Sequence, residues 1–593
     1  MSDLLQKIDE VLLHFENESN PFDEHDVFAK MRACIPSGMT EISEEIRSDL
    51  IAFDFCENAE EHSPGWGLYF GPMMVLKNDD GTFSESPGKS FVTEQVITLW
   101  CQRAKQLNQP ILKARYSGLV WVFAPLVNKR SPGVEFAQFT TDSIIKISQS
   151  SIYKREVYVS AKLTWALSLA QSIQDESRIS QVVSAMVDYE EKIGQDDKPG
   201  LWGFSFDALL LNKNLNLSTE LESKIVSDLE ARLSRLANPV DPKNLHPWAA
   251  ESAATRLAKY YQKKNLGNEV RRVLQEYSRC FQKMIDQASP IQSLIWTQQI
   301  SKTFLDFGIR DESAKLLSKI KDIGPKVKDE LKEFKFETKI PKEKIDKYLE
   351  EMLEGDLEKN FARLAFRFIP QKGEVENQLR ENSKKFVFQH IIPQSILDHK
   401  GRTVAVIGTI DEDFPGHVIF QTSQSISIDG YFLRLVLDQI ISQKKVTTKE
   451  FVDFIFSSPI FDETRKEILT NGIDAYLAGN YIASIHVLIP QIEEAIRTII
   501  ETSGGVVMKF NKNHWIQVKT FDELLRDPIL TKVFGEDCTL YFRVLYTDSR
   551  GWNIRNNVCH GLSPIESFSQ QVADRIVHSL LYLGMIRKSP TSA

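Results

Sequence analysis

Six isoleucines, Ile482, Ile485, Ile489, Ile492, Ile496 and Ile499, recur at alternating steps of three and four residues. A helix places such a set on one face, whereas a strand would need steps of two. Just upstream, Ile468, Leu469, Ile473, Tyr476 and Leu477 keep the same period, and Gly479-Asn480 separates the two runs. The pattern predicts a long helical hairpin that ends at Gly504-Gly505, with Pro490 kinking its second arm. Helical spacing also opens the chain, at Leu4, Leu5, Ile8, Val11, Leu12 and Phe15, and a further helix is expected from about Thr93 to Leu107. The fold class read from these periods is mainly α: a helical N-terminal array, a small α/β middle segment and a C-terminal helical bundle.

At ~150 residues per domain, a chain of 593 residues has room for about four. Residues 1–150 read as a mixed helical domain. A small hairpin is expected around Met73–Leu76, and the apolar stretch Leu112–Trp121 is expected to be buried. Residues 151–350 read as a solenoid-like helical domain. Within it, Arg256–Leu274 and Gln299–Leu317 resemble each other at an offset of 43 residues, which fits either stacked helix pairs or two unrelated amphipathic hairpins. Lys315 to Lys347 interleaves lysines with acids, the pattern of a solvated helix or linker, with an RNA-binding patch as the alternative. Residues 351–450 read as a small α/β segment. Thr403–Ile407 and His417–Phe420 are expected there as short strands joined by a turn at Asp411–Gly416. Asp411, Glu412, Asp413 and His417 then mark a charged hairpin tip or, alternatively, a metal site. Residues 451–593 return to helix.

Composition narrows the function. Hydrophobic residues at 42% and charged residues at 26% are ordinary for a globular protein, and a net charge of −9 excludes a general polyanion coat, so any nucleic-acid contact must be local. Six scattered cysteines with no C-x-x-C predict neither a disulfide framework nor a zinc ribbon. The N-terminus carries no secretory leader pattern, and no apolar run approaches the ~20 residues of a membrane span, so the expectation is a cytoplasmic protein without membrane contact. P-loop, dinucleotide-binding, zincin, EF-hand and nucleophile-elbow motifs are all missing. No cofactor and no metal are expected.

One constellation remains, Arg555-Asn556-Asn557-Val558-Cys559-His560, an R-N-x-x-x-H. Asn556 and His560, four apart, share a helix face, whereas Arg555 and His560 would sit ~140° apart on a continuous helix. They can act on one point only if the helix ends there, and Gly561 supplies the stop. Ser563-Pro564-Ile565-Glu566 has the form of a capping box. It is expected to open a helix striped by Ile565, Phe568, Val572, Ile576 and Leu580, whose N-terminus beside His560 would suit a phosphate. Cys559 reads as a packing residue. Glu493 and Arg497, four apart on the isoleucine helix, read as a surface salt bridge or as accessory groups near the motif. His486 and His578 sit among apolar neighbours and read as core residues. His514-Trp515 falls in a polar loop from Lys509 to Lys519, read as a plain exposed loop or as a place for RNA to stack.

Over residues 460–590 these features resemble the HEPN superfamily of small helical bundles, many of whose members are metal-independent endoribonucleases with an R-x-x-x-x-H motif, often R-N-x-x-x-H. The segments Trp66–Met73 and Leu112–Trp121 extend a looser resemblance to bacterial defence-type proteins with a helical N-terminal region and a C-terminal domain of this kind. The resemblance implies RNA as substrate, cleavage by 2′-OH attack, a toxin or anti-phage abortive-infection role, and a homodimer. It also implies Arg555, Asn556 and His560 as catalytic residues; Glu493 and Arg497 are accessory candidates by their spacing alone. A regulatory protein or phage trigger would engage the N-terminal region. The residue chemistry agrees: histidine, with an ordinary pKa of ~6.5, transfers protons at neutral pH, and an arginine fork clamps phosphate oxygens. A non-catalytic scaffold that binds RNA or protein is the alternative reading.

Overall fold

The computed structural model describes residues 2–36, 39, 42–58, 66–78, 82–129, 131–212, 215–239, 245–332 and 339–587. These residues form 25 α-helices and four two-stranded antiparallel sheets, so the chain is mainly α as its periods require. Packing divides it into two compact units, Met1–Leu316 and Leu317–Ala593. One contiguous set of buried apolar residues runs from Leu4 to Leu316 and a second from Met352 to Leu583, so the packing is unbroken at residues 150 and 450.

In the first unit, Met74–Lys77 and Phe83–Ser86 pair as the expected hairpin. Leu112–Trp121 lies inside the helix Pro110–Asn128, which buries Leu112, Tyr116 and Leu119. Arg115, in the middle of that apolar stretch, is also buried; it donates to the carbonyls of Ala52 and Phe55 and, over 3.0 Å, to Glu57. Lys162 Nζ then bridges Glu57 at 2.5 Å and Glu24 at 2.8 Å. Burial disfavours the Glu24 carboxylate, but Lys162 and Arg115 outweigh it and bring its pKa down to about 2.

The 43-residue offset is structural. Helices Pro247–Lys263 and Gly267–Ile285 form one hairpin, and Pro290–Asp306 and Arg310–Glu330 form the next, with both pairs of helix starts 43 residues apart. Their turns match as well. Asn265 (φ 60°) and Gly308 (φ 77°) hold the same left-handed position, each followed by a closing bond, Leu266 N–H to Tyr261 O at 2.9 Å and Ile309 N–H to Phe304 O at 2.8 Å. Gln174 and Gly479 occupy the same place in two further hairpins.

The second unit contains the isoleucine hairpin, Lys466–Leu477 and Tyr481–Thr502. Five of the six isoleucines are buried and Ile482 is exposed; each buried one contributes ~1.5–3 kcal/mol relative to exposure. The second arm is a continuous helix through Pro490. Helix Gln570–Gly584 is the hub of the unit, with every side chain from Ala573 to Gly584 buried. It packs on the isoleucine helix and on Leu357–Arg367, Phe414–Lys444 and Thr448–Phe456.

Two expectations fail locally. Thr403–Ile407 is a strand, paired with Gln394–Leu397, but His417–Phe420 is helical, within Phe414–Lys444. The Asp413 side chain caps that helix by accepting from Gly416 N–H at 2.9 Å, and Pro415 occupies its first turn. Asp413 is therefore a helix cap and not part of a hairpin tip. Likewise, Ile565–Ser567 forms only a 3₁₀ turn, and the following helix starts at Gln570 with Ser569 as its cap. The Ser563-Pro564-Ile565-Glu566 segment therefore opens no α-helix directly after His560.

Candidate functional site

The R-N-x-x-x-H motif is set by the turn before it. Asp548, almost fully buried, accepts Arg550 N–H at 3.1 Å and is gripped by the Arg550 guanidinium through Nε and Nη2, both at 3.0 Å. Burial disfavours the charge on Asp548, but its bonds from Arg550 outweigh this and hold the carboxyl below its usual range. Asn553, left-handed at φ 50°, then starts the short helix Ile554–Cys559. Ile554 and Val558 are the buried residues of that helix, which turns Arg555 and Asn556 partly outward. His560 ends it and Gly561, at φ 66°, reverses the chain through Leu562 N–H to Asn557 O at 2.8 Å, the stop that the sequence predicts.

The structure brings four of the five candidate residues into one hydrogen-bonded set. Glu493 uses both carboxylate oxygens: Oε1 accepts from Arg497 Nη2 at 3.2 Å and Oε2 from Arg555 Nε at 3.0 Å. Arg555 Nη1 donates to Asn556 Oδ1 at 3.4 Å. Asn556 Nδ2 in turn donates to Asn553 Oδ1 at 2.8 Å and Thr547 O at 3.2 Å. Glu493 and Arg497 are each 16% exposed, so the pair is more than a loose surface contact. Arg555 keeps its Nη2 without an acceptor among the described residues, at a side chain 23% exposed. His560 is exposed, and its ring makes no hydrogen bond or ion pair among the described residues. Cys559, expected to pack, is exposed too.

Of the two histidines expected in the core, His578 is there and His486 is not. His578 is fully buried between Tyr541 OH at 2.7 Å and Leu364 O at 3.1 Å; burial, then the neighbouring Arg575, push its pKa down to about 3. His486 is instead exposed on the helix surface, where its ring stacks on Phe568 with ring centres 5.0 Å apart. The segment expected as a polar loop is a hairpin, Met508–Phe510 with Ile516–Val518, and it exposes Met508, Phe510, Trp515, Ile516 and Val518. Among the described residues, no three His, Cys, Asp or Glu side chains gather as a metal site, and no helix is long and apolar enough to cross a membrane.

Sequence reasoning missed Arg526, Arg543 and Arg550, which converge on Asp548 from Nη2 atoms at 3.9 and 3.6 Å and from Nε at 3.0 Å. Nothing in their spacing signals this, because the convergence is made by a helix end and a loop packed together. Chemically, the motif offers an exposed imidazole and a guanidinium held by a carboxylate and an amide.

No family model, curated protein or solved structure matches the chain.

Proposed function

We propose that the second unit is a metal-independent endoribonuclease of the HEPN kind. The observation that carries this reading is that one short helix bears both groups: Arg555 in its first turn, held by Glu493 and Asn556 with Nη2 open, and, where the helix ends, the exposed and unencumbered ring of His560. In the proposed reaction an RNA 2′-OH attacks the adjacent phosphorus. Its proton goes to a base, the P–O5′ bond breaks, and an acid protonates the departing 5′-oxygen, leaving a 2′,3′-cyclic phosphate. Arg555 binds the phosphate oxygens as charge builds on them, and His560 exchanges the proton. Asn556 and Glu493 fix the guanidinium plane.

In-line attack puts the nucleophile and the leaving oxygen on opposite sides of phosphorus, so one imidazole serves one end. A two-fold homodimer supplies a second His560 for the other. Such an enzyme acts in the cytoplasm, as a toxin or an abortive-infection effector, and the Met1–Leu316 unit is where a regulatory protein or phage trigger engages. The test is direct: His560→Ala and Arg555→Ala each abolish RNA cleavage. Because His560 is exposed and makes no side-chain bond, His560→Ala changes stability by no more than ~0.5 kcal/mol. Full cleavage by either variant overturns the assignment.

A further inference from the structure

The hairpin of Met508–Phe510 and Ile516–Val518 is built inside out. Met508 stands opposite Val518 and Phe510 opposite Ile516, so the four share one face, and they are 54–70% exposed. Val506, exposed as well, continues the alternation. The residues between them turn the other way: Val507 is buried, Lys509 pairs with Glu523, and Lys519 Nζ pairs with Asp527 at 3.0 Å. Both acids belong to the protein beneath, Glu523 to the helix Phe521–Leu525 and Asp527 to the cap of the helix Pro528–Tyr546. A ribbon lying on a core normally buries its apolar side and shows water its lysines, and a shift of one residue exchanges the two faces. This ribbon holds the opposite register. Its turn and its base fix that register: Asn511 Oδ1 accepts from Asn513 N–H at 2.9 Å and Trp515 N–H at 3.0 Å, and Lys519 N–H donates to Val507 O at 2.8 Å.

Size and charge decide what suits the outward face. Five side chains exposed to this degree present roughly 550 Å² of surface, within the ~300–600 Å² of the largest apolar patches on monomers, which are often functional. The face carries no charge. An RNA strand or an anionic membrane is met by cationic groups, yet Lys509 and Lys519 are turned away and neutralised by Glu523 and Asp527. An uncharged face suits a copy of itself across a two-fold axis, since no like charges then oppose each other. Two such faces bury roughly 1,100 Å², and bordering side chains such as the exposed Trp515 carry the contact to the ~1,200 Å² at which specific interfaces begin. The ion pairs on the back hold the ribbon in place before it docks, so contact orders little that is not already ordered.

We infer that this hairpin face is a homodimer contact, with Met508, Phe510, Ile516 and Val518 of one copy packed on the same four residues of another. The chemistry proposed above asks for a second copy without placing it; the hairpin contact stands without that chemistry.

The experiment is sedimentation of the full chain from sub-micromolar to tens of micromolar concentration. The wild type is expected to dimerise. Phe510→Glu, which sets a carboxylate against the apolar surface of the other copy, is expected to raise the dissociation constant at least about tenfold. Leu13→Glu, at a comparably exposed site on the helix Ser2–Glu16, should leave it unchanged. Ile516→Thr, still β-branched, is read in the same way where Phe510→Glu fails to fold by circular dichroism. A wild type with the mass of one chain throughout overturns the contact, as does Phe510→Glu protein that dimerises like the wild type. Binding of a single-chain species to phosphatidylserine vesicles, lost in Phe510→Glu, gives the face to lipid and likewise overturns it. The two readings fail separately. A Phe510→Glu monomer that cleaves RNA at the full rate keeps the contact and refutes the scheme of two His560 rings. A dimer that Phe510→Glu dissociates but that never cleaves RNA keeps the contact and refutes the ribonuclease. Cleavage by a dimer indifferent to Phe510→Glu refutes the contact alone.

Discussion

Mild acid should loosen the second unit through one residue, His578. Its ring lies fully buried on the hub helix Gln570–Gly584, where Nε2–H donates to Leu364 O at 3.1 Å and Nδ1 accepts from Tyr541 OH at 2.7 Å. Both nitrogens are matched to the neutral ring. A second ring proton would meet the hydroxyl hydrogen of Tyr541 and place a charge beside Arg575. Burial and that charge lower the pKa from 6.5 to about 3. A depressed folded pKa means that the unfolded chain binds the proton first. The stability is therefore complete above pH ~6.5 and is lost progressively as the pH falls toward 3. At pH 5 the loss spans about 1.5 pH units, or ~2 kcal/mol at ~1.4 kcal/mol per unit. Amide hydrogen exchange of the Gln570–Gly584 helix, at pH 7.5 and at pH 5, reads this directly. The wild type should lose ~2 kcal/mol more opening free energy between the two conditions than His578→Gln, since the other titrating groups are common to both. An equal loss in the two proteins would refute the reasoning.

The remaining predictions concern the proposed activity. EDTA leaves cleavage intact and the products carry 2′,3′-cyclic phosphates; activity lost in EDTA and restored by Mg²⁺ contradicts this. Light scattering on the active species gives twice the mass of one 67.8 kDa chain, and full activity at the monomer mass overturns the dimer. The Leu317–Ala593 unit alone is more toxic to its host than the full chain at equal soluble expression, and equal toxicity argues against inhibition by the first unit. A fragment of residues 451–593 does not substitute for it, because it strips Leu357–Arg367 and Phe414–Lys444 from the hub helix and leaves His578 and Arg575 without Leu364 O, Phe368 O and Ile426 O; its solubility and circular dichroism check this.

The legible parts of the fold were those written in local period. The isoleucine steps gave the long helix because burial of one face repeats every 3.6 residues wherever the partner lies. His417–Phe420 was misread because Val418, Ile419 and Phe420 are apolar in either conformation; the deciding signals were Asp413 and Pro415, a cap and a first-turn proline just upstream. Ser563-Pro564-Ile565-Glu566 carried a cap signature with no helix behind it, since Ser569 offers a second cap six residues later and Phe568 is drawn onto His486. At the site, the motif and its glycine stop were local and therefore readable. The bond from Arg555 to Glu493 spans 62 residues and depends on how two helices pack, which spacing alone does not encode. The convergence of Arg526, Arg543 and Arg550 on Asp548 was invisible for the same reason.

The hub helix also dictates an order of events during synthesis. His578 bonds to Leu364, 214 residues earlier, and Arg575 to Phe368, 207 residues earlier. Until Gln570–Gly584 has been made, the helices that will surround it have no common partner, and the isoleucine helix that carries Glu493 has its hairpin partner but lacks one of its packing surfaces. Local hairpins can form early, but contacts at such separations wait for the chain that makes them. The nascent second unit thus passes through a stretch of 62 residues in which Glu493 has been made and Arg555 has not, and the pair they form is assembled only as the later helices arrive to hold the two together.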